Sequence, residues 1–246
     1  MKYIKKVMGM TAVIDISDEE AKAEDAEKVF SYFSYIDDKF STYKKDSEIE
    51  RINRKEIGEN DFSHDMKKIL SLADKTKKET DGYFDIKRNG RIDPSGIVKG
   101  FAIHEGVKML RKLGYKNFYV EIGGDIEVAG KNPRGEKWRV GIQNPFNKTE
   151  IIKVVHLSDR GIATSGSYVR GEHIYDPIAQ ENENRIAGIT VVGPNIYEAD
   201  RFATAAYAMG EKGLEFIERL SGFEAYMVKN NKRAMMTSGF SKYLIN

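Results

Sequence analysis

Apolar residues recur every three or four positions in several stretches of the chain, and this period predicts helices that bury one face. The clearest stretch has apolar positions at Ala26, Val29, Phe30, Phe33, Ile36 and Phe40. Ser17 and Asp18 precede it, and both are residue types that cap a helix N-terminus. The other helices that this period predicts are residues 47–53, 65–80, 98–113, 198–209 and 214–220.

Other stretches are rich in β-branched and aromatic residues and are bounded by glycine, asparagine or proline, which predicts strands. Residues 115–129 contain Gly123 and Gly124, so we predict two strands there, joined by a glycine bend. Residues 179–185 are polar and are predicted to form a loop. The other predicted strands are residues 10–16, 138–142, 151–157, 161–164, 189–192, 225–228 and 233–236, with a short strand into a turn at 173–177.

These elements follow one another without a linker-like change in composition and without an internal repeat of about 20 to 50 residues. The order of helices and strands predicts an α+β fold. We expect a single domain over residues 1–246, with a mixed β-sheet and helices packed on it.

The amino-acid composition argues against several classes of protein and of functional site. The 246 residues include 40 basic and 38 acidic side chains, and a net charge of +2 gives no reason to expect a nucleic-acid partner. The absence of cysteine excludes disulfides, thiolate catalysis and cysteine-ligated zinc or iron–sulfur sites. The first residues lack the apolar core of a signal peptide, and no apolar run approaches the length of a transmembrane segment. We therefore expect a cytoplasmic chain, or an exported one if a leader has been removed.

Residues 93–100 (Asp-Pro-Ser-Gly-Ile-Val-Lys-Gly) join a small-residue turn to the start of a predicted helix that stops at Gly114. The free N–H groups and the dipole of a helix N-terminus can hold an anion, and Lys99 lies in the first predicted turn. The same residues are also compatible with an ordinary helix start and a solvated lysine.

Asp200 and Thr204 are four residues apart in a predicted helix, so their side chains share one face. A carboxylate and a hydroxyl are hard oxygen ligands of the kind that Mg²⁺ accepts, with water or phosphate completing its coordination. The alternative is structural: an aspartate near a helix start complements the dipole, and a threonine can bond to its own backbone.

Residues 164–167 (Thr-Ser-Gly-Ser), followed by Tyr168 and Arg170, are predicted to form a bend that is either a phosphate cradle or a simple turn. His173 comes shortly afterwards. A single histidine is often structural or exposed, but in a pocket its ordinary pKa would suit proton transfer near neutral pH.

Eight short motifs occur in a fixed order along the chain. They are Met8-Gly9, Phe40-Ser41-Thr42-Tyr43 with Ser47-Glu48-Ile49, Gly82-Tyr83-Phe84-Asp85, residues 93–100, Ile122-Gly123-Gly124-Asp125, Ala163-Thr164-Ser165-Gly166, residues 173–177, and Ala199-Asp200 with Ala203-Thr204. This ordered set resembles the ApbE family, the FAD:protein FMN transferases, over residues 8 to about 240. The resemblance implies a T-fold-like domain.

The resemblance also implies residue roles. Mg²⁺ would be held by the side chains of Asp200 and Thr204 and by the carbonyls of Gly96 and Ala203. His173 would be the base that takes a proton from the acceptor hydroxyl. Residues implied to contact or enclose FAD are Met8, Tyr43 (against the isoalloxazine ring), Tyr83, Phe84, Asp85, Asp93, Lys99 and Ile174.

The implied activity is Mg²⁺-dependent transfer of FMN from FAD to a threonine or serine hydroxyl of a target protein, with release of AMP. FAD and an acceptor protein would be the partners. Two alternatives remain open: a Mg²⁺-dependent FAD pyrophosphatase that yields FMN and AMP, and an FAD-binding protein without turnover.

Overall fold

One large sheet runs through the part of the chain that the computed structural model describes, residues 1–166 and 186–244. The strands are β1 (Lys2–Val7), β2 (Met10–Ile16), β3 (Lys87–Arg88), β4 (Arg91–Ile92), β5 (Phe118–Ile122), β6 (Asp125–Ala129), β7 (Trp138–Asn144), β8 (Asn147–Leu157), β9 (Arg160–Gly166), β10 (Ile186–Gly193), β11 (Glu224–Lys229) and β12 (Ala234–Met236). Eight of them form the sheet, in the order β1-β2-β5-β6-β9-β10-β11-β12, while β3–β4 and β7–β8 form separate two-stranded ribbons.

The helices of the described residues are α1 (Ala23–Phe40), α2 (Glu48–Asn53), α3 (His64–Glu79), α4 (Ser95–Lys112), α5 (Ile196–Ala208) and α6 (Lys212–Glu218), with 3-10 turns at Glu59–Asp61 and Phe240–Tyr243. None of these helices is both long enough and apolar enough to cross a bilayer.

Every pair of neighbouring strands in the described sheet is antiparallel. The α+β class is confirmed, whereas the pairing differs from the mixed sheet that the sequence predicted. The reason is that long excursions leave and re-enter the sheet at the same end, which reverses the strand direction. Ile16 at the end of β2 pairs with Phe118 at the start of β5, although α1 to α4 lie between them. Val128 near the end of β6 likewise pairs with Arg160 at the start of β9.

The two faces of the sheet are covered by different elements. On one face, α1, α4 and α5 form the larger core with strand residues such as Ile14 and Ile189. On the other face, the β7–β8 ribbon and the turn Phe240–Tyr243 form a second core that contains Trp138. The candidate site lies on the helical face.

β1 and the β3–β4 ribbon were absent from the prediction. Met8-Gly9, with φ angles of +52° and +70°, forms the two-residue turn that joins β1 to β2. Asn89-Gly90 joins β3 to β4 in the same way, with φ angles of +50° and +74°. β1 is one of the two edge strands of the sheet and carries exposed lysines, so it lacks the apolar alternation that marks a half-buried strand.

The helices match their predicted bounds to within two residues at each end, except at two N-termini. α1 begins at Ala23 without a side-chain cap, so the predicted cap at Ser17 or Asp18 was wrong. The carboxylate of Asp18 instead accepts hydrogen bonds from the backbone N–H groups of Lys116 and Asn117, at 3.0 and 2.9 Å. α4 begins at Ser95, three residues before the predicted start at residue 98. The predicted strand at 173–177 and loop at 179–185 lie outside the described residues.

Candidate active site

α4 and α5 pack closely against each other at Gly100. A Cβ atom there would lie 2.6 Å from Cβ of Asp200 and 2.9 Å from the carbonyl oxygen of Ile196, so a larger residue would force the helices apart. The backbone N–H of Gly100 donates to Oδ2 of Asp200 at 2.8 Å. This contact buries Asp200, which keeps only 5% of its surface exposed.

Gly96 and Thr204 meet one helical turn further along the same contact. The hydroxyl of Thr204 lies 3.4 Å from the carbonyl oxygen of Gly96 and can donate to it. A Cβ atom on Gly96 would lie 3.1 Å from Cγ2 of Thr204. Ala203 lies beside Thr204 in α5 and is fully buried. The structure thus brings the four predicted metal-binding positions, Gly96, Asp200, Ala203 and Thr204, to one helix–helix contact.

The possible metal ligands at this helix–helix contact are all oxygen atoms. Within the described residues, no three His, Cys, Asp or Glu side chains gather into one metal-binding group. A single carboxylate with a hydroxyl and a backbone carbonyl is a poor set for zinc, which prefers nitrogen and sulfur ligands. It suits Mg²⁺, which takes few protein oxygens and completes its coordination with water and phosphate. The residues present therefore fit the ion that the sequence predicted.

Lys99 is buried, with 6% of its surface exposed, so the interpretation of a solvated lysine was wrong. Its Nζ lies 2.6 Å from Oδ2 of Asp125 on β6, and Asp125 is 2% exposed. The backbone N–H of Thr164 on β9 donates to the other carboxylate oxygen of Asp125 at 3.2 Å. Asp125 therefore connects α4 to two neighbouring strands.

Glu127 is a second buried carboxylate on the same face of β6, with 2% of its surface exposed. Its Oε2 accepts from the backbone N–H of Ile196, the first residue of α5, at 3.1 Å, and lies 3.0 Å from Nδ1 of His104 on α4. A carboxylate at a helix N-terminus satisfies an otherwise unpaired N–H and complements the helix dipole. Glu127 thereby fixes the start of the helix that carries Asp200.

Arg201 holds α5 against α3. Arg201 is buried, and its guanidinium pairs with Glu198 in α5 and with Glu79 at the end of α3. The guanidinium also lies 3.9 Å from the centre of the Phe202 ring. This buried ion-pair group lies next to Asp200 in sequence and restricts the movement of its helix.

Residues 91–92, which lead into the turn before α4, are held in place by α2. The side chain of Asn53 donates to the carbonyl of Ile92 at 3.0 Å and accepts from the N–H of Ile92 at 2.7 Å, as a neighbouring strand would. Arg91 pairs with Glu50 at 2.6 Å. Burial raises the pKa of Glu50, but the hydrogen bonds from Arg91 and Asn53 outweigh it, so the pKa lies below its usual range. These contacts fix the backbone immediately before Asp93.

Asp93 itself is exposed and organises the turn into α4. Its Oδ1 accepts from the backbone N–H of Ser95, the first residue of α4, at 3.0 Å, and its own N–H donates to the carbonyl of Ile86 at 2.7 Å. An exposed carboxylate at this position is accessible to a ligand. Its predicted contact with FAD stays a prediction.

The predicted flavin-lining residues 83–85 follow α3. Phe84 is 2% exposed, and its ring edge would lie 3.3 Å from a Cβ atom on Gly96, so it packs behind the start of α4. Tyr83 is half-buried, and Asp85 pairs with Lys77 at 2.6 Å. Phe84 therefore lies directly against the α4–α5 contact.

Tyr43 and Met8 lie at turns of the chain. Tyr43 is 97% exposed in the loop after α1, so the structure does not bring its ring against the helix contact. Lys44 pairs with Asp37 and Asp38 and fixes this loop to α1. Met8 is half-buried at the β1–β2 turn and packs against the helical core.

Residues 164–166 do not form the predicted bend, because β9 continues through them to Gly166. The hydroxyl of Thr164 instead pairs across the sheet with that of Thr190 at 2.8 Å. Ser167, Tyr168, Arg170, His173 and Ile174 lie outside the described residues, so the predicted base and one predicted FAD contact have no structural account.

Comparison with known proteins identifies the family. The sequence profile of the ApbE family matches residues 8–89 and 86–227, well over half of the chain. The chain belongs to the ApbE family.

Two curated ApbE relatives illustrate how far the sequence similarity extends. The FAD:protein FMN transferase of Haemophilus influenzae is 26% identical over 97% of this chain and 89% of that protein. The protein of the same name from Escherichia coli is 28% identical over 63% of this chain and 48% of its own length, so that match spans about half of the relative.

Solved ApbE structures share the fold. The flavin transferase ApbE from Vibrio cholerae superposes with a TM-score of 0.85 at 23% identity and covers 99% of each chain. The ApbE protein from Thermotoga maritima superposes with a TM-score of 0.87 at 20% identity, covering 100% of this chain and 99% of the other. At 23% and 20% sequence identity, these similarities establish a shared fold and nothing more.

Proposed function

We propose that this chain transfers FMN from FAD to a threonine or serine hydroxyl of a partner protein, in a Mg²⁺-dependent reaction that releases AMP. Membership of the ApbE family and the names of its relatives, FAD:protein FMN transferases, support the proposal. The observation that carries it is the α4–α5 contact, where Gly100, Asp200, Gly96 and Thr204 bring oxygen ligands together beside a buried lysine.

In this proposal Asp200, Thr204 and the carbonyls of Gly96 and Ala203 hold Mg²⁺. The bound ion supplies charge neutralisation for the FAD pyrophosphate. Lys99 contributes a compact positive charge beside the flavin nucleotide, and Asp93 contacts FAD from the turn before α4. Tyr43 stacks on the isoalloxazine ring, and Met8, Tyr83, Phe84, Asp85 and Ile174 complete the pocket.

The reaction forms a bond between the acceptor oxygen and the phosphorus of the FMN half, and breaks the pyrophosphate bond to AMP. His173 takes the proton from the acceptor hydroxyl as that bond forms. A pyrophosphate carries several negative charges, so groups that reduce this charge ease the approach of an oxygen nucleophile. This is the role expected of Lys99, and Asp200 would contribute to it by holding the ion.

The direct test is intact mass spectrometry of a flavinylatable acceptor protein after incubation with this chain and FAD. Three parallel samples contain Mg²⁺, excess chelator, or Mg²⁺ with an acceptor whose target threonine is replaced by alanine. We expect a mass gain equal to FMN only in the first sample, with stoichiometric AMP. FMN and AMP without any adduct would instead establish a hydrolase, and intact FAD in every sample would establish a binding protein; either outcome overturns the proposal.

A further inference from the structure

Asp125 and Lys99 form an ion pair that is almost completely removed from solvent. Their charged atoms lie 2.6 Å apart, and the two residues are 2% and 6% exposed. Among the ion pairs of the described residues, this one buries both partners most fully. It lies between α4 and β6, in the helix turn that also carries Gly100.

Such a pair is not needed to hold a helix on a sheet. Removing two charges from water is costly, and well-packed apolar residues of similar volume often stabilise a fold as well or better. The other face of β6 is packed in this apolar way, because Ile126 and Val128 lie among the buried hydrophobic residues of the second core. A charged pair at this position is better explained by a ligand that needs the lysine.

We infer that Asp125 is a positioning residue that acts as the internal counter-ion of Lys99 and is partly replaced by the anionic phosphates of FAD when FAD binds. The inference rests on the proposed function, since it requires Lys99 to contact FAD. The N–H of Thr164 keeps Asp125 fixed to β9, so the carboxylate stays in place while the ammonium shifts towards its ligand. Asp125 therefore controls both the position of Lys99 and the positive charge that FAD encounters.

The substitution Asp125→Asn tests this inference, because it changes the charge that FAD meets at the site. This substitution preserves shape but changes the local charge of the pair from zero to +1, so the attraction for FAD becomes stronger and more sensitive to salt. We expect FAD to bind at least threefold more tightly at low ionic strength, with a steeper loss of affinity as salt is added. We also expect kcat to fall at least tenfold, because the ammonium is no longer held in position.

Asp25→Asn is the matched control. Asp25 is also buried, at 6% exposure, and also pairs with a lysine, Lys28, at 2.8 Å, but it lies at the start of α1. Both substitutions raise the net charge of the chain by one. The control variant should therefore bind FAD with wild-type affinity and wild-type salt dependence.

FAD binding is measured by quenching of flavin fluorescence across a series of salt concentrations, and kcat by intact mass of the acceptor. Equal affinity and salt dependence in wild type and Asp125→Asn would overturn the inference alone. No FAD binding by the wild-type chain would overturn the proposed function as well. If Asp125→Asn does not fold, Asp125→Glu keeps the charge but displaces it, and should keep the wild-type salt dependence while kcat falls tenfold; an unchanged kcat would overturn the inference.

Discussion

Asp200 is the residue whose substitution tests the candidate metal site most directly. Asp200→Asn keeps an oxygen that can accept from the N–H of Gly100, while it removes the only charge of the proposed ligand set. We expect FMN transfer to fall by at least about 100-fold at saturating FAD, because a charged ligand is lost. The thermal unfolding midpoint should change by only a few degrees, since the helix contact is preserved.

The measurement for Asp200→Asn is the rate of acceptor mass gain across a wide range of Mg²⁺ concentrations, beside a thermal melt. Partial recovery at high Mg²⁺ would agree with weakened metal binding. Wild-type turnover at every Mg²⁺ concentration would refute the assignment of Asp200 as a ligand.

The buried carboxylate of Asp25 should make the stability of the folded protein depend on pH. Hydrogen bonds from Lys28 and Tyr115 hold the pKa of Asp25 below its usual range. Because the folded pKa lies below the unfolded value of about 3.9, the carboxylate stabilises the fold at all pH values above that value. This contribution is lost as the pH falls through the folded pKa.

We therefore expect wild type to exceed Asp25→Asn in unfolding free energy by a constant amount above about pH 5, and the difference to shrink below about pH 4. Urea unfolding of both proteins at several pH values measures this difference. A gap that persists unchanged at pH 3 would contradict the ion-pair explanation.

Strand β6 contains two residues whose surroundings the sequence alone could not reveal. The alternation in residues 125–129 is visible in the sequence, with Asp125 and Glu127 on one face and Ile126 and Val128 on the other. Ordinarily such alternation indicates a strand with one solvated face. Here both faces are buried, because Lys99 and His104 of α4 meet the carboxylates. The partners are distant in sequence, so the alternation alone could not reveal them.

At the level of elements, the contact between α4 and α5 depends on glycine at position 100. Gly100→Ala would place a Cβ atom 2.6 Å from Cβ of Asp200, closer than packed atoms come. We expect a loss of about 1–3 kcal/mol of stability from overpacking. FMN transfer should fall by at least tenfold even in the folded protein, because Asp200 and Thr204 move relative to Gly96.

Gly58→Ala is the control for Gly100→Ala, since Gly58 precedes the short turn Glu59–Asp61, has a negative φ angle and has no atom near its virtual Cβ. Denaturant unfolding and initial transfer rates are measured for both variants. Full activity and stability in Gly100→Ala would show that the helices adjust freely and that the contact does not set the site.

Elements differed in how readily the sequence predicted them. The 3.6-residue period predicted all six helices of the described residues, because each buries one face in a large core. β1 was missed because its lysines face solvent at the sheet edge. The β3–β4 ribbon could have been found, since Asn89-Gly90 is a strong hairpin signal, but its strands are only two residues long.

For the whole molecule, sequence patterns predicted the α+β class but not the division into two cores. Alternation in a strand identifies two faces without indicating what covers each one. The β7–β8 ribbon was predicted as ordinary strands, although it leaves the sheet and folds over its second face. The candidate site was predicted through the ordered family motifs, because its ligands come from α4 and α5, which lie about 100 residues apart in the chain.

Because the fold has two separate cores, a substitution in the second core should lower the stability of the protein without changing its affinity for FAD. Trp138 belongs to the second core, is 7% exposed, and donates from its indole N–H to the carbonyl of Ala129 at 2.9 Å. Trp138→Phe leaves this carbonyl without its donor and should cost about 1–2 kcal/mol. For a chain of this length the melting temperature should fall by roughly 2–8 °C.

The sheet separates Trp138 from the α4–α5 contact, so FAD affinity and Mg²⁺ dependence should stay within twofold of wild type at temperatures where Trp138→Phe is folded. Thermal melts with and without FAD, together with fluorescence titration, measure both properties. The increase in melting temperature on addition of FAD should be equal in the two proteins, because ligand stabilisation depends on affinity for the folded state. A loss of FAD affinity in Trp138→Phe would mean that the β7–β8 ribbon transmits changes across the sheet to the site, and that the two cores are not independent.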